Sequence, residues 1–223
     1  MNILVCISSV PDTTSKINFN NNNQSFDTTG VTFIINPYDE FCLTKAIFIK
    51  EQSGASITVL NVGDSHNDAI LRKALAIGAD QAIRINQPAE NSKIVADCIS
   101  EYCSNNNFDL IFLGRESIDY NGGKVPGFIA EKLNMTFING CIGLELKENL
   151  IDVKREIDSG YEFSECPLPA VIAGQKGLVE EKDLRIPSMR GIMSARSKPL
   201  EIIESSISNN ETIKILSYDK PAE

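Results

Sequence analysis

The chain lacks the raw material of most familiar catalytic centres. It has a single histidine, His66, which sits beside Asn67 and near Asp64 in a polar stretch that reads as a solvated turn. A Ser-His-Asp relay needs a histidine held between nucleophile and acid, so this inventory argues against one. The six cysteines (Cys6, Cys42, Cys98, Cys103, Cys141 and Cys166) form no CxxC pair and no metal-ligand spacing. They read as reduced, mostly buried small hydrophobes, which gives the expectation of a cytoplasmic protein. An excess of positive charge is missing too: 21 Lys and Arg face 30 Asp and Glu, a formal net charge of -9. That balance argues against nucleic acid and against an anionic membrane surface as partners. No apolar run approaches the ~20 residues that cross a bilayer. Met1-Asn2 leads straight into an apolar strand with no cationic signal region. The expectation is a protein with no direct membrane insertion.

What the chain does have is a regular alternation. Hydrophobic residues make up 42 %, enough for a sizeable core. Short apolar runs at residues 2–8, 56–62, 81–85 and 110–114 read as buried strands. Between and after them, residues 39–52, 67–77, 91–104 and 125–133 carry apolar positions at helical spacing, with Gly54 and Gly78 as stops. Residues 16–35 read as a hairpin-like excursion around an Asn-rich tract. Strands alternating with helices predict a doubly wound parallel sheet covered on both faces. After a short strand at 136–138 the pattern changes. Residues 141–147, 150–157 and 161–166 read as consecutive antiparallel strands, followed by a strand at 170–173 and a short helix near 188–195. Residues 1–200 thus form an α/β domain with an antiparallel extension from about 141. Residues 201–223 form a C-terminal arm whose apolar stretch at 213–216 either meets a partner subunit or frays.

The best ligand signal follows the strand at 110–114. Gly114, Arg115, Ser117, Asp119, Asn121, Gly122, Gly123, Lys124 and Val125 lie in a loop that opens a helix with Pro126 in its first turn. Asn121, Gly122 and Gly123 can take positive φ, so successive N–H groups can converge on a phosphate, with Lys124 adding charge. The loop is neither GxGxxG nor a Walker A, because Val125 follows Gly-Lys where Ser or Thr is required. An ordinary βα turn is the alternative. The other walls of such a site come from the carboxyl ends of neighbouring strands: Cys6, then Asn36, Pro37, Tyr38 and Asp39, then Val62 and Gly63. Plain core packing of Cys6 and a helix start at Asn36-Pro37 are the alternatives there.

The run Val153-Lys-Arg-Glu-Ile-Asp-Ser-Gly160, with Leu168-Pro-Ala-Val171, Ile186-Pro187 and Lys198-Pro199, resembles the signature region of the electron transfer flavoprotein β subunit. The start Asn2-Ile-Leu-Val-Cys-Ile-Ser, Asn36-Pro37, the run from Arg72 to Asp80 and that from Gly114 to Asp119 fall in the same family order. The resemblance implies a core of the universal-stress and adenine-nucleotide α-hydrolase kind. It implies an α subunit partner that carries FAD, and electrons passed from acyl-CoA or other flavin dehydrogenases to an acceptor. It implies AMP, or in the electron-bifurcating group a second FAD, held by the residues named above.

Two further sites follow from the resemblance. Glu156 falls where the family contacts the mobile flavin domain of the α subunit; a solvated strand end is the other reading. Ile186, Pro187 and Met189 fall in the segment that docks on dehydrogenases. Met189 and Arg190 stand where the family has Leu-Pro, and Ile186-Pro187 keeps an apolar-Pro pair three residues earlier. The nucleotide loop is shorter than in mammalian-type members, and Asn-Gly-Gly-Lys replaces the Asp-Thr/Ser-x-Gln of the bifurcating type. Two competing readings are a stand-alone universal-stress-like nucleotide-binding module and an adenylate-forming enzyme. The first leaves the antiparallel extension unexplained. The second needs a Gly-bearing loop after the first strand, where Ser8-Ser9-Val10-Pro11 stands.

Overall fold

Apolar residues that read as continuous runs become strands buried on both faces. A computed structural model describes residues 1–20, 22–207 and 215–220. Strand β1 (Asn2–Cys6) sends Ile3 and Val5 into one core layer and Leu4 and Cys6 into the other. A short pair β2 (Ser9–Pro11) and β5 (Phe33–Ile35) encloses the hairpin β3 (Asn18–Asn20) and β4 (Ser25–Asp27), which is the expected excursion. Helix α1 (Pro37–Ser53) ends at Gly54 in the left-handed conformation. Strand β6 (Ser56–Val62), helix α2 (Asp68–Ile77), strand β7 (Gln81–Asn86), helix α3 (Ser92–Ser104), strand β8 (Leu110–Gly114) and helix α4 (Val125–Leu133) follow in alternation. Asn91 caps α3 by accepting the Ile94 N–H at 3.0 Å.

Next come β9 (Thr136–Leu146), β10 (Leu150–Ile157), β11 (Gly160–Pro167), β12 (Ala170–Gly174), helix α5 (Met189–Ala195) and β13 (Leu200–Glu204). They complete a nine-stranded sheet in the order β11-β10-β9-β12-β8-β1-β6-β7-β13. The stretch from β9 to β13 is parallel; β10 and β11 run antiparallel at one edge. Helices α1, α2 and α5 cover one face, and α3 and α4 the other. The sheet is doubly wound, with an antiparallel extension.

Two expectations need correction. The strands expected at 136–138 and 141–147 are one strand, β9. Gly140 takes φ +64 within it, and the ladder with β12 shifts register there. Pairing with β12 and β10 makes one strand of what sequence alone reads as two. The boundary placed at 200/201 falls inside β13, which pairs with β7 from Leu200↔Ala82 to Glu204↔Asn86. The 213–216 stretch lies partly outside the described residues.

Helix α5 lies directly on α2. A Cβ on Gly191 would fall 2.2 Å from the Ala76 carbonyl oxygen, so only glycine permits this approach. The Arg72 guanidinium donates to the Ala195 and Lys198 carbonyls at 2.7 and 2.8 Å, which closes the carboxyl end of α5.

Candidate nucleotide site

Strand order reverses between β1 and β8: the chain runs from β1 to β6 and β7 on one side, then returns to place β8 on the other. A cavity of about 630 Å³ opens at the carboxyl ends of β1, β6 and β8, which is where an open α/β sheet takes a ligand.

The loop after β8 is held by side chains buried in its floor. Asn36 stands at the start of α1, ahead of Pro37 in the first turn, yet its side chain does not cap that helix. Its Nδ2 donates to the Glu116 carbonyl at 3.0 Å, and its Oδ1 accepts the Ile118 N–H at 3.2 Å. Asp39 is 2 % exposed and accepts the Gly114 N–H at 2.6 Å and the Ser8 N–H at 2.7 Å. Burial pushes its carboxyl up to about 7 against the downward pull of those N–H groups. Gly114 fits beneath: an added Cβ would lie 2.6 Å from both the Asp39 Oδ1 and the Tyr38 Cβ. Nearby, Asn61 donates to the Ile7 carbonyl at 2.8 Å and accepts from Asn67 at 3.0 Å, joining the ends of β1 and β6.

Asn121 and Gly123 take φ +48 and +59. Among the described residues, the amides of Gly122, Gly123 and Lys124 donate to no protein acceptor, and the Lys124 ammonium has no carboxylate partner. A concave run of free N–H groups at the start of α4, beside a free cation, is suited to an anion. An adenine nucleotide fits this donor set: phosphate at the loop, apolar walls for the base. The thiols of Cys6 and Cys42 are pushed up by burial, so neither is poised as a nucleophile.

Of the residues expected at the site, Cys6, Asp39, Val62, Gly114, Ser117, Asp119, Gly122, Gly123, Lys124 and Val125 line the cavity. Asn36, Pro37, Tyr38, Gly63, Arg115 and Asn121 do not; they stand behind or beside its wall. Gly63 keeps space for Asn67, whose Nδ2 would lie 2.0 Å from an added Cβ. The cavity also takes in residues 89–93, the connection after β7 and the first turn of α3, and Ile215. The first of these was accessible to the same strand-end logic. Ile215 was not, because only the folded chain brings it there.

Glu156 lies outside the cavity, exposed on β10. Its Oε2 accepts from the Gln175 Nε2 at 2.7 Å. Ile186 and Met189 are 80 % and 77 % exposed, with Pro187 between them half-buried. Their segment is anchored by Arg185, whose guanidinium donates to both Glu51 oxygens at 2.9 and 2.8 Å and lies over the Phe48 ring.

The electron transfer flavoprotein domain profile matches residues 25–208. The chain belongs to the electron transfer flavoprotein family. It is 35 % identical over 210 residues to the electron transfer flavoprotein subunit beta of Bacillus subtilis, covering 92 % of this chain and 79 % of that one. It is 32 % identical over 223 residues to the same subunit of Syntrophomonas wolfei, covering 99 % and 86 %. The acryloyl-CoA reductase electron transfer subunit gamma of Anaerotignum propionicum is 29 % identical over 222 residues, covering 96 % and 81 %. The resemblance seen in the signature run around Glu156 therefore extends along nearly the whole chain. Relatives of the electron transfer flavoprotein β type are electron-transfer subunits, and among the described residues no helix is long and apolar enough to cross a membrane.

Proposed function

We propose that this chain is the β half of a heterodimeric electron transfer flavoprotein working in the cytoplasm. Its α partner carries the main FAD. This chain holds an adenine nucleotide, AMP or the AMP half of a second FAD, with its phosphate on the 122–124 amides. Acyl-CoA or other flavin dehydrogenases dock on the exposed Ile186, Pro187 and Met189 and deliver electrons. The chain makes and breaks no bonds itself; it supplies orientation and electrostatics around the partner's flavin. The observation that carries this reading is the run of amides at 122–124 and the Lys124 ammonium, which have no protein partner among the described residues and stand at the mouth of the switch-point cavity.

The test is electron transfer from an acyl-CoA dehydrogenase to the flavin of the purified heterodimer. Glu156→Ala is expected to slow transfer by about tenfold, equivalent to ~1.4 kcal/mol, in a heterodimer that still assembles and keeps its FAD. An unchanged rate would remove Glu156 from the flavin-domain contact.

A further inference from the structure

Glu156 is not free to swing. The carbonyl edge of the sheet carries a relay of three polar side chains across β8, β12, β9 and β10, which are neighbours in that order. Arg115, just past β8, donates through Nη1 to the Gln175 Oε1 at 2.9 Å. Gln175, just past β12, donates through Nε2 to the Glu156 Oε2 at 2.7 Å. The middle member is 6 % exposed. Its own backbone is fixed as well: the Gln175 N–H donates to the Cys141 carbonyl at 3.1 Å, and the Arg115 N–H to the Gly174 carbonyl at 2.8 Å.

The chemistry of the middle position is restrictive. It must accept from a guanidinium on one side and donate to a carboxylate on the other. A glutamine amide does both, and its two charged neighbours dictate which way it points. Glutamate there would repel Glu156, and lysine would repel Arg115. The relay passes Gly140 of β9, which lies between β12 and β10; an added Cβ there would make ordinary contacts, 3.8 Å from the Gln175 Oε1 and 3.7 Å from the Glu156 carbonyl oxygen, and it is the φ of +64 that favours glycine. The register shifts on both flanks of β9 occur beside this point, at Ile172/Gly174 and Lys154/Arg155.

We propose that Gln175 is a positioning residue. It fixes the Glu156 carboxylate in one orientation for the partner's flavin domain and ties it to Arg115 at the root of the nucleotide loop. This rests on reading Glu156 as the flavin-domain contact. The test uses the heterodimer purified with its α subunit and time-resolved fluorescence anisotropy of the bound FAD, which reports rotation of the domain that carries it. Three variants are compared: Glu156→Ala, Gln175→Met and the exchange Glu156→Gln with Gln175→Glu. Methionine keeps the length and removes both hydrogen bonds. The exchange keeps a donor facing an acceptor and an anion beside Arg115, but moves the charge inward.

The expected result is that all three free the flavin domain to a similar degree, while the exchange recovers the melting temperature lost in Gln175→Met. If Glu156→Ala loosens the domain and Gln175→Met does not, the positioning role is wrong and the Glu156 reading stands. If Glu156→Ala has no effect, both fall. Wild-type anisotropy in the exchange variant would show that the flavin domain needs no carboxylate at 156, and would overturn both the Glu156 contact and its positioning by Gln175.

Discussion

Two phenylalanines on one sheet divide the molecule. Phe112, on β8, is fully buried, whereas Phe163, on β11, is 73 % exposed. The first belongs to strands covered by helices on both faces, where every side chain meets protein. The second belongs to an antiparallel edge beside exposed Tyr161, with the Lys154 ammonium 3.9 Å from the Tyr161 ring centre. The parallel part builds the cavity and is complete in itself. The extension leaves apolar surface uncovered beside Glu156, and exposed apolar patches of this kind mark interaction surfaces.

The sharpest contrast comes from deleting the two rings. Phe112→Ala should destabilise the chain by about 3–5 kcal/mol, measured by urea denaturation. Less disruptive, Gly114→Ala should cost about 1–3 kcal/mol, because the added methyl meets the Tyr38 Cβ and cannot be absorbed by a flexible side chain. It should also abolish nucleotide retention, measured on the purified heterodimer. Those two changes act on the closed half.

Asp39 probes the same half through pH. Its folded value, about 7, lies above the ordinary 3.8, so the folded chain holds this proton more tightly than the unfolded one. Its contribution to stability is therefore full below about pH 4 and is lost as pH rises through about 7. Asp39→Asn should remove that slope. Denaturation across pH should show the parent losing ground to the variant between those limits, with a constant difference outside them. The smallest effect is expected at the open edge. Phe163→Ser should change the stability of the isolated chain by no more than about 0.5 kcal/mol. The same variant should bind the α subunit more weakly by titration calorimetry.

The closed half was the more legible in the sequence. Its strands and helices announce themselves by period, and Gly54 and Gly123, both at positive φ, mark a helix end and a turn by their conformational preferences. Legibility failed where tertiary contacts override local signals. Asn139-Gly140 falls in the gap between two expected strands, yet β12 and β10 hold β9 as one strand. Leu200–Glu204 is a strand because β7 offers a free edge. At the site, the loop carrying Gly122 to Lys124 was readable from its residue types. The burial of Asp39 was not, since an acid in the first turn of a helix ordinarily serves the helix dipole. Nor was Gln175, a residue type with no chemistry of its own until Arg115 and Glu156 are brought to either end of it.

The most direct measurement is the ligand content of the purified heterodimer. Bound molecules would be released by heat, identified by mass and counted per dimer. The account predicts one adenine nucleotide beyond the α subunit's FAD, lost in Gly114→Ala: AMP for a single-flavin carrier, a second FAD for a two-flavin one. A heterodimer that carries one FAD and no further nucleotide would contradict it.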